Sequence, residues 1–344
     1  MNDTPKKKRW PFVLLAILLV VLLLLGSGWM FYQSKLNKLD FDDGKQEIDT
    51  TVQTPLDDMD IPDLGEAPEN ADELDDAPED EIYHDDDVMN ILLLGTDERS
   101  KKFNTNARAD AIMVLSLNMK DHTIKLVSIE RGIGVPIPGR NDDWLTHTFR
   151  YGGAALTMET VREQFRLDVD RYIRVNFAAF KDGIDAIGGV DLNFTQAEID
   201  YLNVGMPELH SNPLSLGVNH VDGNVALNYA RLREIDSDWK RIQRQRNVVQ
   251  AALNQVAHSD LLTLNKLADT ILPTIKTNLT KGEITSLLLE VPAFLAEGIH
   301  MEQMTIPTRD TCWNSVGVDG RKLIGVDFAA NAKILKEFFY GVTD

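Results

Sequence analysis

Residues 227–249 read LNYARLREIDSDWKRIQRQRNVV, with five arginines and one lysine among three acids and neither glycine nor proline. A guanidinium is planar, permanently charged and offers paired N–H donors, so clustered arginine points to phosphate more than clustered lysine does. From Trp239 onward the composition is that of a helix, with Asp236, Ser237 and Asp238 as candidate caps. Arg241, Arg244, Gln245 and Val248 fall at i, i+3, i+4 and i+7, which places two guanidinium groups and an amide on one helical face. Ile242, Val249, Leu253 and Val256 make a neighbouring apolar seam, and Arg231 and Arg233 approach from a second element. The competing reading is a solvated charged face laced by Glu234, Asp236 and Asp238, because charge runs are usually exposed helix surface. Composition alone leaves both open.

A second polar constellation lies in loops. Three short, apolar, β-branched stretches, 88–94, 111–118 and 123–129, read as strands of a meander. Gly95-Thr96-Asp97-Glu98-Arg99 leaves the first, Arg108-Ala109-Asp110 enters the second, and Ser128-Ile129-Glu130-Arg131-Gly132 leaves the third. If the first two strands pair as an antiparallel hairpin, Asp97 and Asp110 meet at one end of the sheet. Two carboxylates flanked by Arg99, Arg108 and Arg131 could then hold Mg²⁺ against a phosphate whose remaining oxygens meet the arginines. Ordinary turn chemistry would also place aspartates there.

The elements that must position these residues follow in order. Helices are expected at 154–165, 178–187, 222–232, 261–272, 281–290 and 327–340, with strands at 169–177 and 190–194. Pro273 and Pro292 are expected to end the helices before them, and the last third of the chain reads as mostly helical. The fold class is therefore α/β (α+β), a central mixed β-sheet flanked by helices in one domain, 88–344. Cys312 is alone, so the chain can form no intramolecular disulfide.

What precedes that domain is of a different kind. Residues 1–9 carry Lys6, Lys7, Lys8 and Arg9, and residues 10–34 contain no charge, 25 positions in all. At about 1.5 Å per helical residue such a run exceeds the roughly 30 Å hydrocarbon core. The basic flank orients it as a single transmembrane helix with a cytoplasmic tail and everything after it outside the cytoplasm; a cleaved signal peptide is the alternative. The linker, 35–87, holds 21 acids against Lys45 within 40–87, a net of −20 out of the formal −19, which leaves +1 for the rest. So acidic a stretch with few aromatics reads as a disordered tether. Nucleic-acid binding, which the basic cluster would also suit, is a third class, argued against by the outward-facing anchor and by the lack of a helix-turn-helix pattern.

The motifs occur in the order ILLLGTDER, RADAIMVLSLN, KLVSIERG, RYGG and HVDGNVALNYARLREIDSDWKRIQRQR. In that order, from about residue 90 to 256, the chain closely resembles the LytR-CpsA-Psr family of bacterial envelope proteins. The resemblance implies a phosphotransferase at the cell membrane that moves an anionic glycopolymer, of teichoic acid or capsular type, from a polyprenyl pyrophosphate carrier to a peptidoglycan acceptor. It further implies Mg²⁺ on Asp97 and Asp110, and pyrophosphate contacts from Arg108, Arg131, Arg231, Arg233, Arg241 and Arg244, with Gln245 beside them. Two departures stand out. The family's S-I-P-R-D appears here as Ser128-Ile129-Glu130-Arg131-Gly132, and its D-K-I-N-like segment as Asp143-Trp144-Leu145-Thr146-His147. These leave a non-catalytic sensor of polyprenyl-phosphate lipids as the alternative function, and His147 as either a base or a structural histidine.

Overall fold

The computed structural model describes residues 33–54, 59, 61–98, 103, 107–296 and 300–342. The basic tail and all of the uncharged run up to residue 32 lie outside these, as does Arg99. Among the described residues no helix is long and apolar enough to cross a membrane.

The strands are β1 (Asp40–Phe41), β2 (Val88–Thr96), β3 (Ala109–Asn118), β4 (Thr123–Ile129), β5 (Gly134–Val135), β6 (Asp143–Trp144), β7 (Arg171–Asn176), β8 (Val190–Phe194), β9 (Gly217–Val221), β10 (Ile275–Thr277), β11 (Met301–Ile306), β12 (Cys312–Val316) and β13 (Lys322–Val326). The helices that matter here are α1 (Leu145–Phe165), α2 (Phe177–Ala186), α3 (Gln196–Gly205), α4 (Gly223–Arg231), α5 (Asp238–Ala257), α6 (Leu261–Ile271), α7 (Lys281–Ala296) and α8 (Phe328–Tyr340). Seven strands form one mixed sheet in the order β1-β10-β7-β2-β3-β4-β11, as the alternation of strand and helix patterns implied. β2, β3 and β4 run antiparallel to one another, and β7 lies parallel to β2.

Strand alternation gives the sheet two unlike faces. On one, Leu92, Leu94, Ile112, Val114, Val127 and Ile129 pack with Phe149, Val161 and Phe165 of α1 and Phe328, Leu335 and Phe339 of α8. On the other, Leu93, Met113 and Val175 face a cavity under α2, α4 and α5. A second cluster, including Ile184, Leu192, Phe194, Tyr229 and Val248, ties those helices to the antiparallel β8–β9 pair.

Several expectations need correcting. α1 begins at Leu145, nine residues before the expected start, because Gly152 and Gly153 interrupt it without ending it; Gly153 has φ +68°. α7 runs through Pro292 to Ala296, and the last third contributes strands β10 to β13 as well as helices. These strands are only three to six residues long, too short for alternation to mark them.

The acidic stretch expected as a disordered tether lies against the domain along much of its length. β1 pairs with β10, and Tyr172 Oη donates to the Asp42 carbonyl. Asp42 ion-pairs with Lys276, Asp75 accepts from Val326 N, and Arg140 donates to the carbonyls of Thr50 and Val52. Averaged composition concealed the few apolar residues, such as Met59, Ile61 and Leu64, that give the stretch something to bury.

Candidate active site

The end of the β2–β3 hairpin builds one wall of the site. A register shift at Gly95 and Thr96 pairs Thr96 with Ala109, and Gly95 lacks a Cβ that would come within 2.9 Å of the Ala111 Cβ. The loop then closes on itself. Arg108 N donates to Asp97 Oδ1 at 3.0 Å, and the Arg108 Nε lies 3.5 Å from Asp97 Oδ2. Asp97 and Asp110 both line a single cavity of about 540 Å³, as antiparallel pairing implied.

The opposite wall comes from α4 and α5. Asp222 caps α4 by accepting from Val225 N, which directs its C-terminal Arg231 toward the site, 4.5 Å from the ring of Phe177. Arg231, Arg233, Arg241 and Gln245 line the same cavity as Arg108 and the two aspartates. Arg241 is 1% exposed, and only its Nη2 is engaged, donating to Asp238 at 2.7 Å. Its Nε and Nη1 are buried with no partner. A buried donor left unpaired costs about 1–3 kcal/mol, more when charged, so these two nitrogens call for an acceptor in the cavity. Burial, with Arg131 and Arg233 adding repulsion, lowers the Arg241 guanidinium to about 10, so the group still carries its charge at neutral pH.

Two arginines expected at the ligand stand behind it. Arg131, 3% exposed, reaches Asp110 at 2.6 Å and Asp238 at 3.4 Å without lining the cavity. Arg244 is held by Glu198, Asp236 and the Leu232 carbonyl. Positions 241 and 244 are about 60° apart on a helix, and that rotation turns Arg244 toward α3 while Arg241 and Gln245 keep the cavity side. His147 is fully buried, its Nδ1 2.9 Å from Asp143 Oδ1, and it lies away from the arginine cavity, beside Tyr151 and Arg321. That placement makes it a structural histidine.

The cavity has a second, apolar limb. Leu93, Met113, Val175, Phe177, Phe180, Leu227, Ala230 and Val249 continue it from the arginines along the open face of the sheet. None of these was singled out from sequence except Val249, placed in a packing seam. They come from three strands and three helices, and in sequence each reads as ordinary core.

The family model described as LytR_cpsA_psr matches residues 63–337. The chain belongs to the LytR-CpsA-Psr family. A teichoic acid transferase, TagU of Oceanobacillus iheyensis, named polyisoprenyl-teichoic acid–peptidoglycan teichoic acid transferase, is 33% identical over 293 residues, 82% of this chain and 81% of that one. The crystal structure of B. subtilis TagT superposes with a TM-score of 0.58 at 27% identity, covering 75% of this chain and 92% of that one. A structure of the LytR-CPS2A-psr family protein YwtF (TagT) with bound octaprenyl pyrophosphate lipid superposes at 0.56 and 26% identity, with the same coverage.

Within this LytR-CpsA-Psr frame the departure at Glu130 has a structural counterpart. Glu130 is 2% exposed, and its backbone N–H donates to Ile306 O. Burial, and then the neighbouring Asp238, push its carboxyl up to about 8, so it is neutral at neutral pH and donates to Asp238. Asp238 is held low: burial works against the charge, and Arg241 and Arg131 more than offset it. Asp238 thus ties Arg131, Arg233 and Arg241 together, at 3.4, 3.8 and 2.7 Å. Sequence reasoning had it as a candidate helix cap and as one of the acids lacing a charged face, and the actual N-cap is Ser237.

Asp97 and Asp110 also bear on a metal. Burial would raise Asp110, but Arg131 foremost, then Arg241, Arg233 and Arg108, hold it below the usual carboxylate range. Among the described residues no group of three or more His, Cys, Asp or Glu is placed to hold a metal. Mg²⁺ commonly takes one or two carboxylates and completes its shell with water and substrate phosphate, so two aspartates lining one cavity with Arg108, Arg231, Arg233 and Arg241 fit that cation.

Proposed function

We propose that this protein is a membrane-anchored phosphotransferase, moving an anionic glycopolymer from a polyprenyl pyrophosphate carrier to peptidoglycan. The observation that carries the reading is the continuity of the cavity: a cationic end with orphaned Arg241 donors opens into an apolar limb. That is the shape of a lipid pyrophosphate, charged at one end and hydrocarbon at the other. The relative bound to octaprenyl pyrophosphate supports it.

In this mechanism Arg108, Arg231, Arg233 and Arg241 bind the pyrophosphate oxygens and stabilise the charge that builds in phosphoryl transfer. Asp97 and Asp110 would hold Mg²⁺, which neutralises phosphate charge when bound. Arg131, Arg244, Asp238 and Glu130 hold these groups in place. An acceptor sugar hydroxyl attacks the phosphorus bearing the glycan. The new P–O bond forms as the bridging P–O bond breaks, and the lipid phosphate leaves with that electron pair. The hydroxyl proton passes to a carboxylate of the site, where Asp97, 3.5 Å from Arg108, is less tightly paired than Asp110, 2.6 Å from Arg131. The anchor at 10–34 places this chemistry on the outer side of the membrane, where peptidoglycan lies; mature protein in the medium starting near Trp29 would contradict that.

The test is the full chain in vesicles with a glycan-bearing polyprenyl pyrophosphate and peptidoglycan strands. Glycan joined to peptidoglycan through a phosphodiester is the expected product. Tight lipid binding with no release of lipid phosphate would favour the sensor, a reading for which Glu130 and Gly132 are the specific features.

A further inference from the structure

Lys35 is the first charge after the uncharged run, and it is already bound to the domain. Its Nζ pairs with Asp269 of α6 at 2.5 Å, and Lys38 pairs with the same carboxylate at 2.6 Å. Leu36, between them, is 2% exposed. Lys281, the first residue of α7, donates to Asn37 Oδ1. The acidic stretch follows these contacts instead of preceding them, so it spaces nothing. A membrane span ending at residue 34 would hold α6 and α7 within a residue or two of the bilayer, at about 3.5 Å each.

Farther along α7, roughly 10 to 21 Å from Lys281, the exposed surface is apolar. On α7, Leu288, Leu289, Val291 and Leu295 are 52%, 74%, 40% and 39% exposed, and Leu262 of α6 is 81% exposed. Lys281, Leu288, Pro292 and Leu295 are spaced by 7, 4 and 3, so the residue that touches Asn37 shares a helical stripe with the exposed leucines. Lys266 and Lys281 lie on these same helices and are exposed, while Glu283 and Glu290 of α7 face Arg171 and His122. Apolar residues flanked by lysine on an outward helix face are what an interfacial helix offers to anionic lipid, and so many together exceed scattered surface leucines. α6 also packs on α2, whose Phe177 and Phe180 line the apolar limb of the cavity.

We propose that the outward face of α7, with Leu262 of α6, docks into the interface of the extracytoplasmic leaflet and seats the domain directly on the bilayer. This rests on the anchor reading given under Proposed function. A lipid surface, not a second copy, is the occupant because the chain outside the described residues enters beside this face and carries a run able to cross a bilayer. Docking brings the lipid carrier to the domain with little travel across water.

The test uses the unaltered full chain in phosphatidylglycerol vesicles loaded with a lipid-soluble carbene photolabel, with glutathione quenching the water phase and adducts mapped by mass spectrometry. The expected result is labelling of residues 10–34 together with Leu288, Leu289, Val291 and Leu295, several-fold above Val316 and Val318. Those two serve as the reference because they are 67% and 92% exposed on the β12–β13 hairpin. A Leu288→Glu, Leu295→Glu chain, altered only at exposed positions, should lose the α7 adducts and keep those at 10–34. Labelling of 10–34 with α7 no higher than the hairpin would overturn the docking and spare the anchor. No labelling at 10–34 would overturn both. Cross-linking of α7 to α7 in place of lipid adducts would assign the face to a second copy and overturn the proposal.

Discussion

Arg131 Nη1 donates to Asp110 Oδ1 at 2.6 Å from a side chain only 4% exposed, so the arginine reaches the carboxylate from behind the cavity. Arg131 also meets Asp238, and the pair fixes where Asp110 points. Arg131→Ala should leave Asp110 without its main partner and Asp238 with one arginine fewer. Breaking a buried pair on one side costs about 3–5 kcal/mol. Denaturant unfolding of wild type and variant measures this, and an unchanged midpoint would show that Arg131 is not a brace.

Arg241 and Arg244 should separate by phenotype although they lie three residues apart. Arg241→Ala removes two donors that no protein group uses, so affinity for a polyprenyl pyrophosphate should fall by at least about tenfold with the fold intact. Arg244→Ala instead strands Glu198 and Asp236. It should destabilise by about 3–5 kcal/mol while the folded fraction binds the lipid nearly as well as wild type. Calorimetric titration alongside melting curves distinguishes them, and equal binding losses would place both at the ligand.

That contrast marks where the sequence was legible. Short apolar, β-branched runs located β2, β3 and β4 to within two residues, composition placed the start of α5 to within one, and antiparallel pairing of the first two strands brought Asp97 and Asp110 together. A helical wheel could not say which edge of the arginine face meets the ligand, because that depends on how α5 rotates against α3 and the sheet. Arg131 failed for a related reason, since its strand end fixes its place but not whether it points into the cavity or behind it. The apolar limb was invisible because its residues come from β2, β3, β7, α2, α4 and α5. Each of them alone reads as ordinary core.

Glu130 gives a pH dependence whose sign can be worked out. Its folded value is raised from the ordinary 4.5 to about 8, so between those values the folded state keeps a proton that the unfolded chain has lost. Stability must then fall as pH rises through that window and level off above it. Glu130→Gln keeps the hydrogen bond to Asp238 without a titrating proton. Its melting temperature relative to wild type should rise from pH 5 to pH 8; a constant difference would mean that Glu130 is ionised in the fold.

Filling the apolar limb should affect the tail and spare the head. Ala230, 5% exposed, lines the limb, and Ala230→Phe adds a ring there. Affinity for an octaprenyl pyrophosphate should drop while that for inorganic pyrophosphate stays near wild type. Loss of both would place Ala230 in the general packing of α4.

The carboxylate pair carries the central claim, that this is a metal-assisted phosphotransferase and not an anion receptor. An amide oxygen is a poorer Mg²⁺ ligand than a carboxylate, and removing negative charge from among arginines leaves anion binding intact or stronger. The most direct measurement is release of lipid phosphate from a glycan-bearing polyprenyl pyrophosphate, with and without chelator, for wild type, Asp97→Asn and Asp110→Asn. Turnover should vanish in both variants and in chelated wild type, while all three proteins still bind the lipid. Full activity in either variant, or activity of the wild type that survives the chelator, would contradict it.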